Sequence, residues 1–155
     1  MAYEIERKEL ADRYVVTVRV TTTPDQMGAT FQEVLPEIDA EILNAGSRPT
    51  GPPFALYHVY REHEVDMEAG FPVDEPVATS GRVIGRELEA SPAAVTWHHG
   101  AYDTIGEAHR AVEAWLREQG KEASGPPWEV YWVGPMDGEE LASWKTEVGY
   151  PYRDE

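Results

Sequence analysis

An acid set among aromatic residues on a single short segment is the strongest chemical signal in this chain. Trp128-Glu129-Val130-Tyr131-Trp132-Val133 reads as a strand, so its side chains alternate between two faces. Trp128, Val130 and Trp132 share one face; Glu129, Tyr131 and Val133 share the other. A carboxylate in an aromatic pocket is costly unless it is paired or protonated. A cationic ligand relieves that cost through a charge-assisted hydrogen bond of roughly 1.5–3 kcal/mol. Cation–π contacts add about 0.5–2 kcal/mol each. A few such contacts with apolar burial reach micromolar affinity, ~8 kcal/mol. The competing reading is a structural one, in which Glu129 pairs with an Arg or a backbone donor.

The segment belongs to a repeat. Gly51-Pro52-Pro53-Phe54-Ala55-Leu56-Tyr57 recurs as Gly125-Pro126-Pro127-Trp128-Glu129-Val130-Tyr131, and Glu68-Ala69-Gly70-Phe71-Pro72 recurs as Glu147-Val148-Gly149-Tyr150-Pro151. Glu129 therefore stands where the first copy has Ala55. The bulky set Trp128, Val130 and Trp132 is expected to pack on the helices, with Phe54 and Leu56 doing so in the first copy. Glu129, Tyr131, Ala55, Tyr57 and Val59 then turn into a seam between the halves. Trp144, Thr146, Val148 and Tyr150 share one strand face, and Trp97 and His99 another; either set could reach that seam. Tyr102 lies at the start of a helix, where loop residues commonly meet ligands. Candidate ligand-binding residues are thus Glu129, Tyr131, Tyr57, Tyr102, Trp97, Trp144 and His99. Aromatic strand residues also serve as plain core, which is the competing reading for each of them.

Other chemistries find no pattern. His58 and His63, or His98 and His99, lack the i, i+4 helical spacing of zinc hydrolases, so no metal site is expected. There is no Gly-rich phosphate loop and no Gly-x-Ser-x-Gly elbow, and no cofactor is expected. His99 with Tyr102 would be a proton-transfer pair only if the fold brought them together.

The elements that position these residues are legible from periodicity. Tyr3 to Leu10 and Tyr14 to Thr22 read as strands paired around Ala11-Asp12-Arg13, the second alternating Val16, Val18 and Val20 with polar residues. Thr23-Pro24-Asp25-Gln26 has the makings of a capping box. A helical stripe follows at Met27, Phe31, Val34, Leu35, Ile38 and Ile42, interrupted by Pro36 and stopped by Gly46. Arg82 to Leu88 and Ala93 to His99 read as strands turning at Ser91-Pro92. Thr104-Ile105-Gly106-Glu107 reads as a second capping box, and Ile105, Ala108, Val112, Trp115 and Leu116 as a second stripe ending at Gly120. Each half is strand, strand, helix, strand, strand. The expected fold is α+β, a pseudo-twofold duplication with antiparallel sheets, one main helix per half and a cleft between halves. The repeats span approximately 1–73 and 80–152 of a single domain, 1–155, with Pro72 to Gly81 as linker.

Composition narrows the function classes. With 155 residues, a domain of this size buries about 68–70% of its unfolded surface. No cysteine is present, which excludes disulfides and thiolate chemistry. The net charge of −16, from 29 acidic against 13 basic residues, repels phosphate backbones and draws in cations. Direct nucleic-acid binding is therefore not expected. The start Met1-Ala2-Tyr3-Glu4-Ile5-Glu6-Arg7 lacks a signal-peptide pattern, and no run approaches the ~20 apolar residues of a membrane helix. A cytoplasmic protein without membrane contact is expected.

Taken together, Gly51-Pro52-Pro53-Phe54, Val65 to Pro72, His99-Gly100-Ala101-Tyr102, Trp115, Trp128-Glu129-Val130-Tyr131 and Thr146-Glu147-Val148-Gly149-Tyr150-Pro151 span nearly the whole chain. That combination resembles the GyrI-like small-molecule-binding domain, related to the effector domains of BmrR-type and Rob-type bacterial regulators and to the SOUL fold. The resemblance implies a ligand cleft between paired units, with Glu129 and Tyr102 lining it and cationic lipophilic compounds as ligands. It implies a free-standing sensor or sequestration module without a DNA-binding domain. Two other functions stay open. One is a hydrolase of strained cyclopropane-containing or similar toxic small molecules, with Glu129 as its acid or base. The other is a protein inhibitor of DNA gyrase, the one protein partner that the resemblance suggests.

Overall fold

Residues of alternating polarity form strands and the two apolar stripes form helices, as periodicity dictates. The computed structural model describes residues 3–133 and 143–154. Its elements run β1 (Glu6–Leu10), β2 (Arg13–Thr22), α1 (Met27–Asn44), β3 (Phe54–Tyr60), β4 (Val65–Val73), β5 (Ile84–Leu88), β6 (Ser91–His99), α2 (Ile105–Glu118), β7 (Lys121–Ala123), β8 (Trp128–Val133) and β9 (Lys145–Asp154). Short 3-10 turns at Pro24–Gln26 and Tyr102–Thr104 lead into the two helices. The fold class is α+β and the strands are antiparallel.

The chain forms two units, one from Asp12 to Glu89 and the other from residues up to Ala11 together with those from Ala90 onward. The Asp12–Glu89 unit orders its strands β3-β4-β2-β5. The other orders them β1-β6-β9-β8, with β7 also on β9. Both therefore carry one helix and the same four-strand plan, but the strand pairing expected from sequence is corrected. β1 does not fold back on β2; it pairs with β6, Glu6 opposite Val95 and Leu10 opposite Ser91. β5 likewise pairs with β2 rather than β6. The reason is local. A two-residue hairpin needs positive φ in its turn, and Ala11-Asp12 and Glu89-Ala90 supply no glycine. No non-glycine residue among those described has positive φ. The linker is corrected too. Pro72 and Val73 lie inside β4, and the units divide at Glu89 and Ala90.

The helix stops hold, whereas the capping boxes do not. Gly46 (φ 81°) and Gly120 (φ 66°) take the left-handed conformation that ends each helix. Thr23 and Thr104 make no side-chain cap bond. Thr23 donates to Asp25 instead, because the 3-10 turn inserted before α1 moves it away from the helix terminus. α1 runs through Pro36, which sits exposed, from Met27 to Asn44.

α1 buries Val34, Leu35, Ile38 and Ile42. Full burial of one such side chain is worth about 1.5–3 kcal/mol. In the other unit Ala108, Val112 and Leu116 of α2 pack on Ala94 of β6 and on Val148, Tyr150 and Tyr152 of β9. That contact fixes which sheet face meets the helix. Glu129 lies opposite Val148, and Tyr131 opposite Thr146. Both side chains therefore project to the α2 side, the reverse of the expected assignment. Trp128 lies across Gly149 on the other face, so close that a Cβ at Gly149 would overlap its indole. In the first repeat Ala55 lies opposite Ala69 and Tyr57 opposite Met67, on the face that carries Val18 and Val20. Alternation defines two faces without saying which meets the helix. The bulky indole is housed by a glycine on the next strand, not by the helix.

Candidate functional site

His109 lies four residues after Ile105 and three before Val112, so it projects from the buried stripe of α2 toward the sheet. Its Nε2 is 2.7 Å from Glu129 Oε2, and its Nδ1 is 2.9 Å from the Tyr150 hydroxyl. Tyr131 donates its hydroxyl proton to Glu129 Oε1 at 2.8 Å. A carboxylate only accepts, so Nε2 is the donor to Glu129. The Tyr150 hydroxyl has either role open to it. It gives its proton to a neutral imidazole or accepts one from an imidazolium. Glu129 is 8% exposed. Burial pushes the Tyr150 phenol above its usual range, and the charges of Glu113 and Glu129 push it further, so it keeps its proton.

Aromatic rings gather beside this network. Tyr102 meets Tyr131 edge-on with centroids 5.9 Å apart, and meets Trp144 at 5.0 Å. Two bonds set these rings. His98, fully buried, donates from Nε2 to the Ala101 carbonyl at 2.7 Å and is 3.1 Å from the Tyr3 hydroxyl. Gly100 donates its backbone N–H to the Trp144 carbonyl at 2.9 Å. Gly100 has φ 97°, a conformation that a side chain would strain. The turn carrying Tyr102 and the segment carrying Trp144 are thereby tied together. Thr146, in the same cross-strand row as Tyr131 and His98, is fully buried, and its hydroxyl has no hydrogen-bond partner among the described residues.

Among the residues singled out by sequence, the structure brings Glu129, Tyr131, Tyr102 and Trp144 into one cluster. Trp97 and His99 lie elsewhere. The strand period turns them to the sheet face opposite His98, where Trp97 packs on Trp132 at 6.2 Å beneath the Lys145 ammonium. His99 is exposed, and its parity separates it from Tyr102's companions. Tyr57 belongs to the Asp12–Glu89 unit, where it is buried and meets Tyr60 edge-on at 5.8 Å. The residue missed from sequence is His109. Its signal was available: a polar ring at a position the helical stripe requires to be buried.

Each unit also holds a buried carboxylate at the matching place in the repeat. Glu68 of β4 accepts from Arg86 at two distances of 2.7 Å, from Thr17 at 2.7 Å and from His58 at 3.0 Å. Glu147 of β9 accepts from Lys8 at 2.7 Å. Burial raises the Glu68 carboxyl, but the bonds from Arg86, Thr17 and His58 outweigh it and hold it at about 2. An Arg or a Lys grips each of these two acids, and His109 and Tyr131 hold Glu129. Among the described residues no three His, Asp or Glu side chains are arranged to hold a metal. No helix among them is long and apolar enough to cross a membrane.

Residues 1–153 match the GyrI-like small molecule binding domain. The chain belongs to that family. Among solved structures, this GyrI-like domain is similar to the EcmrR C-terminal domain, with 25% identity, a TM-score of 0.89 and 100% of both chains covered. It matches the EcmrR chain of a complex with DNA equally well, spanning 59% of that chain's length. More distant likenesses show the fold alone. SAV2435 bound to tetraphenylphosphonium has 15% identity and a TM-score of 0.66, covering 99% of this chain and 94% of that one. A hydrolase from Listeria innocua has 12% identity and a TM-score of 0.67, covering 98% and 93%. No match was found among curated protein sequences.

Proposed function

We propose that this GyrI-like domain binds a lipophilic cation beside Glu129, as a sensing or sequestering module. The observation that carries the reading is the buried Glu129 carboxylate, held by His109 and Tyr131 next to the rings of Tyr102 and Trp144. An acid held by a titratable ring and a phenol can exchange one partner for an incoming cation. The flanking π faces then stabilise the rest of the charge. The net charge of −16 favours the same class of ligand through long-range attraction. That SAV2435, alike in fold, has been solved bound to tetraphenylphosphonium makes that cation a reasonable probe. Calorimetric titration with tetraphenylphosphonium tests the reading. Glu129→Gln should weaken binding roughly 10- to 100-fold, the loss of one charge-assisted hydrogen bond of about 1.5–3 kcal/mol. Equal affinity in the two proteins defeats it.

One observation favours a second reading. The His109–Glu129 pair has the geometry of a general acid–base couple, which would suit hydrolysis of a strained small molecule. Product formed beyond one equivalent per protein supports turnover; stoichiometric capture alone rejects it.

A further inference from the structure

We propose that His109 gives the site its charge selectivity by exchanging its own proton for the ligand's positive charge. This rests on the binding reading above and assigns it a residue and a stoichiometry. Three features of the network carry the argument. The Nε2–Glu129 distance of 2.7 Å falls in the range of a charge-assisted N–H⁺···O⁻ bond. Glu129 is buried, so a negative charge there is stabilised by a positive one beside it. The other ring nitrogen meets a hydroxyl rather than a carbonyl. A carbonyl accepts only and would fix a proton on the nitrogen it faces, as Ala101 does for His98 Nε2. The Tyr150 hydroxyl reverses its role in place, accepting from Nδ1–H of the imidazolium and donating to Nδ1 of the imidazole. Both protonation states of His109 are therefore satisfied by one arrangement of side chains.

Among the described residues, the surroundings add few competing groups. From β8, Glu129 and Tyr131 face the ring's side of the sheet; from β9, Tyr150 and Tyr152 do. β6 presents His98, held by Ala101 and Tyr3. β7 contributes Lys121, which lies over Tyr152. The turn before α2 carries Tyr102 and the exposed Asp103. On α2 itself, Glu113 stands one turn beyond His109 and Arg110 next to it, both exposed. In the proposed exchange, the ligand-free pair on the acid side is an ionised Glu129 carboxylate with a protonated His109 imidazolium. A monocation arriving at Glu129 would leave the pair with an excess positive charge among aromatic rings. The imidazolium N–H proton at Nδ1 then leaves to solvent, and Tyr150 donates in its place. Charge balances: one cation enters and one proton departs.

Calorimetry in buffers of different ionisation enthalpy counts that proton. With tetraphenylphosphonium, titrated at a series of pH values from 5 to 8, wild type should release up to one proton per cation bound. The release should be largest at the acid end of that range and fall as pH rises. Affinity should rise up to tenfold per pH unit on the acid side and level off above it. His109→Gln keeps a donor for Glu129 but does not titrate, so it should bind with pH-independent affinity and release no proton. Cation binding with no proton release in wild type overturns this inference while leaving the binding reading intact. An unchanged pH slope in His109→Gln also overturns it, because the proton then resides elsewhere, as on Glu129. No cation binding by wild type at any pH overturns both. The wild-type measurement decides the matter even where the variant fails to fold.

Discussion

Acid should weaken the Asp12–Glu89 unit through one carboxylate, and the size of the effect can be worked out. Glu68 is 4% exposed and is gripped by Arg86, Thr17 and His58. Against burial, those bonds lower its carboxyl from 4.5 to about 2. Because the folded value lies below the unfolded one, the ionised acid stabilises the fold above about pH 4.5. That stabilisation is lost as pH falls from 4.5 toward 2. A gap of about 2.5 pH units is worth about 3 kcal/mol at pH 6, about 1.4 kcal/mol at pH 3 and about 0.4 kcal/mol at pH 2. Glu68→Gln mimics the protonated acid and removes the titration. Urea denaturation of wild type and Glu68→Gln across pH 2–6 isolates the effect, since the other acids cancel in the difference. The two stabilities should differ by about 3 kcal/mol at pH 6 and converge near pH 2. A difference that stays constant with pH refutes the account of Glu68 as an ionised, hydrogen-bonded acid.

Other outcomes test the site and its frame. Tyr102→Ala should weaken tetraphenylphosphonium binding several-fold, whereas Trp97→Ala, on the opposite sheet face, should leave it within about twofold; the reverse order in the titration argues for a site on the Trp97 face. Gly149→Ala drives a methyl group into the Trp128 ring and should cost about 1–3 kcal/mol, seen as a lower Tm with altered indole fluorescence. An unchanged Tm would mean that the ring does not lie there. Thr146→Val replaces a buried hydroxyl that has no partner among the described residues with a methyl and should raise stability by about 1 kcal/mol. A loss of stability would show that the hydroxyl is bonded in the folded protein.

Local rules made much of this fold legible. The repeat, both helical stripes and the glycine stops depend on neighbours within a few residues, and glycine's freedom at positive φ is a property of the residue itself. The parity of Trp128 to Val133 was likewise legible, so Glu129 and Tyr131 were placed on one face together. The polarity of that face was not. The Trp128 indole looked like helix-facing core, yet it is accommodated by Gly149, which lies 21 residues away in sequence. The hairpins misled for a similar reason. Adjacency suggested that β1 pairs with β2, but the turn between them lacks the backbone freedom to reverse the chain, and β1 joins residues more than 80 positions distant.

The sequence by itself determined two copies of one strand-and-helix plan, a strongly negative surface, and an acid beside a tyrosine on one strand face. The tertiary structure alone decided that this face looks toward α2, that His109 and Tyr150 complete the network, and that Trp97 and His99 stand apart from it. The physical division is one of range. Propensity and alternation act through neighbouring dihedrals, whereas the partners of a buried acid are set by contacts between segments brought together only when the sheet closes on its helix.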